Sequence, residues 1–342
     1  MKDLFQPLTF SCGTTLKNRF MLAPLTNTQS HTDGKLSDDE YRWLIMRAQG
    51  GFGLTMTCAA HVQARGQGFP GQLGIFSDDH LEGLSKLASG IKSENSLAVV
   101  QLHHAGMRSP EDLIGQAPVC PSDHTDTNSV GLSSEGVKEL IEDFICGAER
   151  AEKAGFDGVE IHGAHGYILA QFLSGTINQR QDEFGGCIEN RMRPITAIID
   201  GIRARCRPDF LLGLRLSPER FDVHLPDIVE VAKNVLSAGK IDFLDMSLWD
   251  SFKEPEDQAF KGRTLLSYFT ELKRGNVALG IAGKLRNPEE VNQAMAADID
   301  FVMLGRAAIL HHDFPRQMKT DPNFTPIKNP VSADHLRKEG LG

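Results

Sequence analysis

Two imidazoles and a phenol lie within six residues near the middle of the chain. His162, His165 and Tyr167 stand at or just beyond the end of "GVEIHG" (158–163), an apolar run that predicts a short β-strand. Imidazole N–H groups can stabilise negative charge that develops on an oxygen, and a phenol can supply a proton. The three side chains are therefore candidates for polarising a bound group and protonating it.

Two plainer interpretations of the same residues stay open. His-x-x-His, here His162 and His165, is a spacing that occurs in metal sites, although no clear third ligand accompanies it. Tyr167 could equally cap a helix that follows the strand. We expect a site without a metal ion.

Polar side chains also interrupt other apolar runs. Arg215 stands deep in "LLGLRL", Gln101 near the end of "LAVVQL", and Glu160 and His162 share one face of their strand. A buried guanidinium is costly unless an anion or a polar acceptor meets it. These side chains are predicted to converge at one end of the sheet. The alternative is a purely structural layer, such as an ion pair of Arg215 with Glu160.

Eight short apolar runs alternate with eight amphipathic segments, which predicts a (β/α)₈ TIM barrel. The predicted strands are 19–25, 54–59, 97–102, 158–163, 211–216, 243–248, 277–282 and 301–306. The predicted helices are near 37–50, 79–94, 134–155, 189–205, 225–238, 264–274, 288–297 and 306–318. A doubly wound sheet is the rival fold. We expect residues 1–342 to form a single domain, with an N-terminal β-hairpin in residues 8–20 beneath the barrel.

Four segments that follow predicted strands are unusually long, namely 26–36, 103–133, 163–188 and 248–263. Loops after the strands of such a barrel lie on its C-terminal face, where active sites are built. Long loops inside a compact domain are usually functional. The residues singled out above are therefore predicted to face a pocket that these loops surround.

The last two strands carry the pattern of a phosphate site. Gly283 follows the seventh strand, and Gly305 and Arg306 follow the eighth at the start of a helix. Glycine lets backbone N–H groups approach a phosphate closely, and arginine binds phosphate through paired donors. The pattern predicts a phosphorylated ligand at the barrel mouth.

The charge balance limits the partners. The chain has 36 Lys and Arg against 45 Asp and Glu, a formal net charge of −9, which argues against a broad nucleic-acid surface or an anionic membrane surface. No apolar run approaches the ~20 residues that span a bilayer. The six cysteines are scattered without a C-x-x-C pair, so we expect free buried thiols in a cytoplasmic protein and a small-molecule substrate.

Several motifs together resemble the old yellow enzyme family of FMN-dependent oxidoreductases. The resemblance runs from about residue 3 to residue 320, and "HGAHGY" followed by "NQRQDEFGG" and "ENR" is its most specific part. The motifs are "NRFMLAPLTNTQS" (18–30), "QLHHAGMRS" (101–109), "HGAHGYILAQFLSGTINQRQDEFGGCIENRMR" (162–193), "LGLRLSPERF" (212–221) and "GRAAIL" (305–310).

The resemblance implies a cofactor site. Residues that line the flavin ring are matched by Pro24, Thr26, Ala59 and Gln101. Arg215 matches the cation near flavin N1 and O2, where reduction leaves negative charge. The phosphate site is matched by Gly283, Gly305 and Arg306.

The resemblance also implies a reaction. His162 and His165 match the pair that binds the carbonyl or nitro oxygen of an acceptor, and Tyr167 matches the proton donor. Hydride transfer from flavin N5 to an enone creates an enolate, which two N–H donors would stabilise and a tyrosine would protonate. The expected function is FMN-dependent, ping-pong reduction of activated C=C bonds with NADPH or NADH as reductant.

Two other functions stay open, namely a tRNA-dihydrouridine-synthase-like reductase and a barrel that binds flavin or phosphate without turnover. Family members occur as monomers, dimers and tetramers, so a homo-oligomer is compatible with the resemblance. Thr28, Phe184 and Lys284 depart from the family pattern. The roles of His103, His104 and Arg337 are left open.

Overall fold

The computed structural model describes residues 2–328 and 330–341. The strands are β1 (Leu8–Thr9), β2 (Thr15–Leu16), β3 (Phe20–Leu22), β4 (Leu54–His61), β5 (Leu97–His103), β6 (Val119–Cys120), β7 (Val130–Gly131), β8 (Gly158–Gly163), β9 (Leu211–Leu216), β10 (Phe243–Ser247), β11 (Ala278–Ala282) and β12 (Phe301–Leu304). The helices are α1 (Asp38–Gln49), α2 (Leu81–Ser93), α3 (Glu111–Ile114), α4 (Ser134–Lys153), α5 (Ile168–Leu173), α6 (Ile188–Arg191), α7 (Arg193–Arg205), α8 (Leu225–Ala238), α9 (Ser267–Thr270), α10 (Pro288–Met295), α11 (Arg306–Leu310), α12 (Phe314–Thr320) and α13 (Ala333–Lys338).

Eight parallel strands close into a barrel in the order β3-β4-β5-β8-β9-β10-β11-β12, and β12 pairs with β3. The prediction of a (β/α)₈ barrel is confirmed. The predicted N-terminal hairpin is also present, since β1 and β2 pair antiparallel. It packs beneath the barrel, where the ring of Phe10 lies 5.9 Å from that of Phe243.

Three predicted helices differ in the structure. The helix predicted at 189–205 is divided into α6 and α7, and the one at 306–318 into α11 and α12. Pro194 and Pro315 stand in the first turns of α7 and α12, where a missing N–H is tolerated and where a new helix is favoured over a continued one. The helix predicted at 264–274 is reduced to the single turn of α9.

Inward-facing side chains change character along each strand, because alternate residues of a strand point to the same face. Along β9 the inward residues are Leu211, Gly213 and Arg215, and along β10 they begin with Phe243 and Asp245. The lower barrel is thus apolar and the upper barrel polar. The side chains that fill the interior as one buried apolar cluster include Met21, Leu54, Met56, Val99, Leu211, Phe243, Phe301 and Met303.

Two aromatic rings fill the lower barrel because two glycines leave space for them. A side chain at Gly213 would collide with the ring of Phe243, and one at Gly280 would collide with that of Phe301. The two rings meet edge to face, with centroids 5.7 Å apart at an interplanar angle of 87°. This part of the barrel is closely packed, and the pocket must lie above it.

The segment around α13 is tied back to the barrel mouth. Gln29, in the loop between β3 and α1, donates from Nε2 to the carbonyl oxygen of Gly340 at 3.0 Å. The fully buried Arg47 of α1 donates from Nη1 to the carbonyl oxygen of Glu339 at 2.7 Å. Arg337 itself is exposed and pairs with Asp334 on the same helix.

All six cysteines are unpaired. The expectation that they are buried is wrong for Cys187, which is exposed, and for Cys12 and Cys146, which are half-buried. Within the described residues, every helix is too short or too polar to cross a bilayer.

Candidate active site

Four polar side chains form a belt across the upper barrel. Gln101 on β5 donates from Nε2 to Oε1 of Glu160 on β8 at 2.7 Å. Arg215 on β9 lies with Nε 3.2 Å from Oδ2 of Asp245 on β10. All four are at least 95% buried, with Glu160 and Asp245 fully so. The layer of buried charge that the sequence left open therefore exists, but the partner of Arg215 is Asp245 rather than Glu160.

Burial raises the pKa of both carboxyl groups in this belt. The pKa of Glu160 is raised to about 8, chiefly by desolvation and further by the charge of Asp245, while Arg215 opposes the shift. The pKa of Asp245 is raised to about 6 by desolvation, again against Arg215. Because both pKa values are raised, the two acids together carry less than their full negative charge beside Arg215 at neutral pH.

Arg215 still carries unused donors. Its Nη1 atom is buried and finds no hydrogen-bond partner among residues 2–328 and 330–341. Arg215 borders a cavity of about 370 Å³ that opens at the barrel mouth. The cavity joins predicted site residues on or after the first, fourth, fifth, seventh and eighth barrel strands, and those in its wall are Pro24, His165, Arg215, Gly283, Gly305 and Arg306.

The far end of this cavity has the backbone geometry that the glycines predicted. Gly283 has φ +151°, and a side chain there would press against the backbone of Trp249 and Asp250. Lys284 follows with φ +50° and donates from Nζ to Oδ2 of Asp250 at 2.8 Å. The lysine that departs from the family pattern is therefore held by an ion pair beside the cavity. Arg306 is exposed at the start of α11.

The loop between β3 and α1 is held from below by a buried acid. Glu40 on α1 accepts a hydrogen bond from Nδ2 of Asn27 at 3.2 Å and another from Oγ of Ser30. Burial raises the pKa of Glu40, and these hydrogen bonds oppose that shift. Thr26 lies exposed on the same loop, outside the cavity wall, and Pro24 lines the wall.

Ala59 and Gln101 are brought together by strand pairing, since they are register partners on β4 and β5. The ladder slips between Met56 and Ala59, a bulge that displaces the end of β4 relative to β5. Neither residue is part of the cavity wall as described above. Gln101 reaches the site through the polar belt.

The two predicted histidines touch each other. Nε2 of His162 lies 3.2 Å from Nδ1 of His165, and Nε2 of His165 lies 2.8 Å from Oγ of Ser247. Burial lowers the pKa of His162 well below its usual range and that of His165 to about 3, and Arg215 adds to both shifts. Both rings are therefore neutral at neutral pH. Nδ1 of His162 is buried and without a hydrogen-bond partner in the described part of the chain.

His165 occupies a strained backbone conformation, with φ +60°. Its backbone N–H donates to Oγ of Ser217 at 3.0 Å, and its carbonyl oxygen accepts from Nη1 of Arg108 at 2.9 Å. A non-glycine residue in the left-handed region is uncommon and clusters at functional sites. In this conformation the imidazole contacts His162.

Tyr167 immediately precedes α5, but its side chain makes no capping hydrogen bond. The ring instead faces the histidines, with its centroid 5.2 Å from that of His162 and 4.4 Å from that of His103. The Arg108 guanidinium lies 5.1 Å from the same ring. A role of this phenol as a mere helix cap is thus not supported.

Nowhere in residues 2–328 and 330–341 do three His, Cys, Asp or Glu side chains gather closely enough to hold a metal ion.

Some residues of this site were not singled out from the sequence. Asp245 stands inside the apolar run "FLDMSL" and is the register partner of Arg215, so the signal that marked Glu160 would also have marked it. Ser247 carries no such signal, because its contact with His165 depends on how neighbouring segments fold.

Residues 3–323 match the model of the NADH:flavin oxidoreductase / NADH oxidase family. The chain belongs to this family. It is 35% identical to the probable NADH-dependent flavin oxidoreductase YqiG of Bacillus subtilis, over 95% of this chain and 87% of that protein. It is 34% identical to the NADPH dehydrogenase of Bacillus licheniformis, over 97% and 98% of the two chains. The old yellow enzyme homologue from Zymomonas mobilis superposes with a TM-score of 0.82 at 26% identity, covering 98% of this chain and 96% of that one.

This member of the old yellow enzyme family is thus an FMN-dependent oxidoreductase that uses NADH or NADPH. The residues at the barrel mouth fit the cofactor. Arg215 offers a buried guanidinium nitrogen that has no hydrogen-bond partner in the described part of the chain, and a side chain at Gly283 would crowd the backbone of Trp249 and Asp250. Membership of this family favours FMN-dependent reduction over the tRNA-dihydrouridine-synthase-like and non-catalytic alternatives considered above.

Proposed function

We propose that this oxidoreductase reduces activated carbon–carbon double bonds, with an α,β-unsaturated carbonyl or nitro compound as acceptor. When bound, FMN would supply the hydride after reduction by NADPH or NADH. The protein would bind and polarise the acceptor and supply the proton. The observation that carries the proposal is the convergence of two neutral imidazoles and one phenol beside a guanidinium-lined cavity.

His162 and His165 bind the activating oxygen. Both are neutral, so each has one N–H to donate, and their facing nitrogens are only 3.2 Å apart. An oxygen that faces both nitrogens accepts from both when each ring carries its hydrogen on that nitrogen, which replaces the hydrogen bond between the rings, in which only one of them donates. Donors fixed in a water-poor site stabilise the negative charge that develops on that oxygen without reorganising. The contact of His165 with Ser247 keeps its ring in place.

Tyr167 supplies the proton to the carbon next to the activating group. Its ring packs against His162, so the hydroxyl is carried into the same pocket from the start of α5. A phenol is a weak acid, and it serves here because it is held in contact with a strongly basic carbon.

The polar residues of the barrel mouth hold the cofactor. Arg215 would neutralise negative charge at the pyrimidine edge of the flavin, and its ion pair with Asp245 orients the guanidinium. Gly283, Gly305 and Arg306, on the loops after β11 and β12, would hold the phosphate. The residues proposed to hold the cofactor are Pro24, Thr26, Ala59, Gln101, Arg215, Gly283, Gly305 and Arg306.

The experiment is a Tyr167→Phe variant studied by stopped-flow absorbance in two half-reactions under argon. Reduction of the flavin by NADPH should survive, because no proton donor to carbon is needed there. Reoxidation by 2-cyclohexenone should slow by ~10²-fold or more, as expected for loss of a positioned general acid.

Tyr268→Phe is the matched control, since its hydroxyl donates to the carbonyl oxygen of Phe260 at 2.7 Å and that residue takes no part in the site. It should leave both half-reactions as in the wild type. Unchanged reoxidation in Tyr167→Phe would remove the phenol from the mechanism, and failure of the wild type to reduce enones or nitroalkenes would overturn the proposed activity.

A further inference from the structure

Two adjacent buried histidines at the end of β5 have different surroundings. His103 and His104 are each 1% exposed. His104 uses both ring nitrogens, because Nε2 contacts Oε1 of Gln63 at 3.1 Å and Nδ1 accepts from the backbone N–H of Gly106 at 3.0 Å. Its role is accounted for by these contacts. It holds the start of the long loop after β5.

His103 has one defined partner, and that partner fixes its tautomer. Gln72 donates from Nε2 to the carbonyl oxygen of Ala59 at 2.7 Å, and its Oε1 accepts from the backbone N–H of Gly68 at 2.6 Å. These two contacts fix which end of the amide carries the hydrogens. Its Nε2 also lies 3.2 Å from Nδ1 of His103, so Nδ1 must accept. In the neutral ring the hydrogen therefore stands on Nε2.

That Nε2–H group is a buried donor aimed away from Gln72. It has no hydrogen-bond partner in residues 2–328 or 330–341. The ring packs beside two residues of the candidate site, 4.4 Å from the centroid of Tyr167 and 5.4 Å from that of His162. Desolvation lowers the pKa of His103 well below its usual range, and the nearby imidazoles and Arg108 add to the shift, so it remains a neutral donor.

The position of His103 differs from that of the other two imidazoles. His162 and His165 face each other, so they converge on a single point. His103 approaches from β5, on the side of His162 where the ring of Tyr167 packs. Its donor is therefore separate from the point on which that pair converges.

We propose that His103 donates a hydrogen bond to a second acceptor oxygen of the bound molecule, and that the pocket therefore prefers activated alkenes with two carbonyl groups, such as cyclic imides of the maleimide type. The inference rests on the proposed function, because it assigns the first carbonyl to His162 and His165. A molecule that lacks the second oxygen leaves a buried donor unpaired, which weakens binding by about five- to 100-fold.

The test compares two ligands that differ in one carbonyl oxygen, N-phenylsuccinimide and 1-phenyl-2-pyrrolidinone. Neither can be reduced at a C=C bond, so dissociation constants are measured without turnover, by titration of the FMN-loaded protein followed by flavin absorbance and calorimetry. The wild type should bind the imide at least five-fold more tightly. His103→Leu should bring the ratio of the two constants close to one, and His103→Gln, which keeps an N–H donor, should retain part of it.

His104→Gln is the matched control and should keep the wild-type ratio. If His103→Leu does not hold FMN, His103→Met removes the donor with a more flexible side chain. A wild-type ratio near one, or an unchanged ratio without the imidazole N–H, would overturn the inference. Failure of the proposed function is recognised separately, because it would appear as absent reduction of N-phenylmaleimide by the wild type while the binding ratio remains measurable.

Discussion

The lower half of the barrel interior is apolar and closely packed, whereas the upper half contains buried polar groups. In the lower half, Phe243 and Phe301 fill the space above Gly213 and Gly280, and apolar side chains from the other strands complete a closely packed layer. In the upper half, the same strands present buried polar atoms, several of which have no hydrogen-bond partner among the described residues. The residues of the upper half that carry these atoms are His103, Glu160, His162, Arg215 and Asp245.

The contrast separates the residues that stabilise the fold, in the lower layer, from the residues that serve function, in the upper layer. Dispersion and burial hold the lower layer, where a change of one methyl group is felt. In the upper layer, unpaired polar groups cost free energy that a ligand can recover. Substitutions in the lower layer should therefore change the free energy of unfolding, and those in the upper layer should change ligand affinity and its dependence on pH.

The largest effect is expected for Gly213→Val. Its side chain would occupy the ring position of Phe243, and overpacking of this kind costs about 3 kcal/mol or more of the free energy of unfolding. Urea denaturation followed by circular dichroism measures it. A second change, Phe243→Leu, should recover part of the loss. A fully stable Gly213→Val protein would contradict the close packing of the lower layer.

Arg215→Met should act mainly on the cofactor. The variant removes the guanidinium, whose Nη1 has no hydrogen-bond partner among the described residues, and it leaves Asp245 without its ion pair. FMN affinity should therefore fall by about 10- to 100-fold, the range for hydrogen bonds to a charged group. Fluorescence titration of FMN-free protein gives the dissociation constant. The exposed Arg337→Met is the control and should bind FMN as the wild type does. Equal affinities of the two variants would separate Arg215 from the cofactor.

Glu160→Gln should remove a dependence of stability on pH. Because burial raises the pKa of Glu160 from 4.5 to about 8, its contribution is fully present below pH 4.5 and is lost as pH rises through 8. Between pH 6.5 and 8 the wild-type, FMN-free protein should lose up to ~2 kcal/mol of unfolding free energy, at ~1.4 kcal/mol per pH unit. The histidines with lowered pKa values act in the opposite direction and below pH 6.5. Denaturation curves across this range that are identical in both proteins would refute the assignment.

Lys284→Gly should have the smallest effect. Glycine relieves the left-handed backbone at this position, which is worth ~1–2 kcal/mol, and loses the partly exposed ion pair with Asp250, which is worth up to ~1 kcal/mol. The free energy of unfolding should therefore rise by no more than about 1 kcal/mol. Thermal denaturation measures the change. A marked loss of stability would mean that the lysine holds the loop through its side chain.

The barrel could be predicted because each strand and helix carries its own local pattern, and eight repeats leave few alternatives. Arg215 and Glu160 were found because a charge inside an apolar strand is conspicuous. The family resemblance supplied roles for His162, His165 and Tyr167 that their spacing alone left open. Contacts between loops were not predictable, since the ion pair of Lys284 with Asp250 and the bond of His165 to Ser247 depend on how distant segments meet.

Local signals also misjudged helix length. Apolar spacing continued across 189–205 and 306–318, but Pro194 and Pro315 each begin a new helix. The tautomer of His103 was equally out of reach, because it depends on an amide whose orientation is fixed by Ala59 and Gly68.

The anchoring of Gln29 to the carbonyl oxygen of Gly340 has a practical meaning for anyone who handles this enzyme. A purification tag fused just after Gly340, or a truncation that deletes Gly340, would disturb the loop that carries Gln29, Pro24 and Thr26. The amount of FMN that stays bound through gel filtration would then depend on the design of the fusion as well as on the pocket.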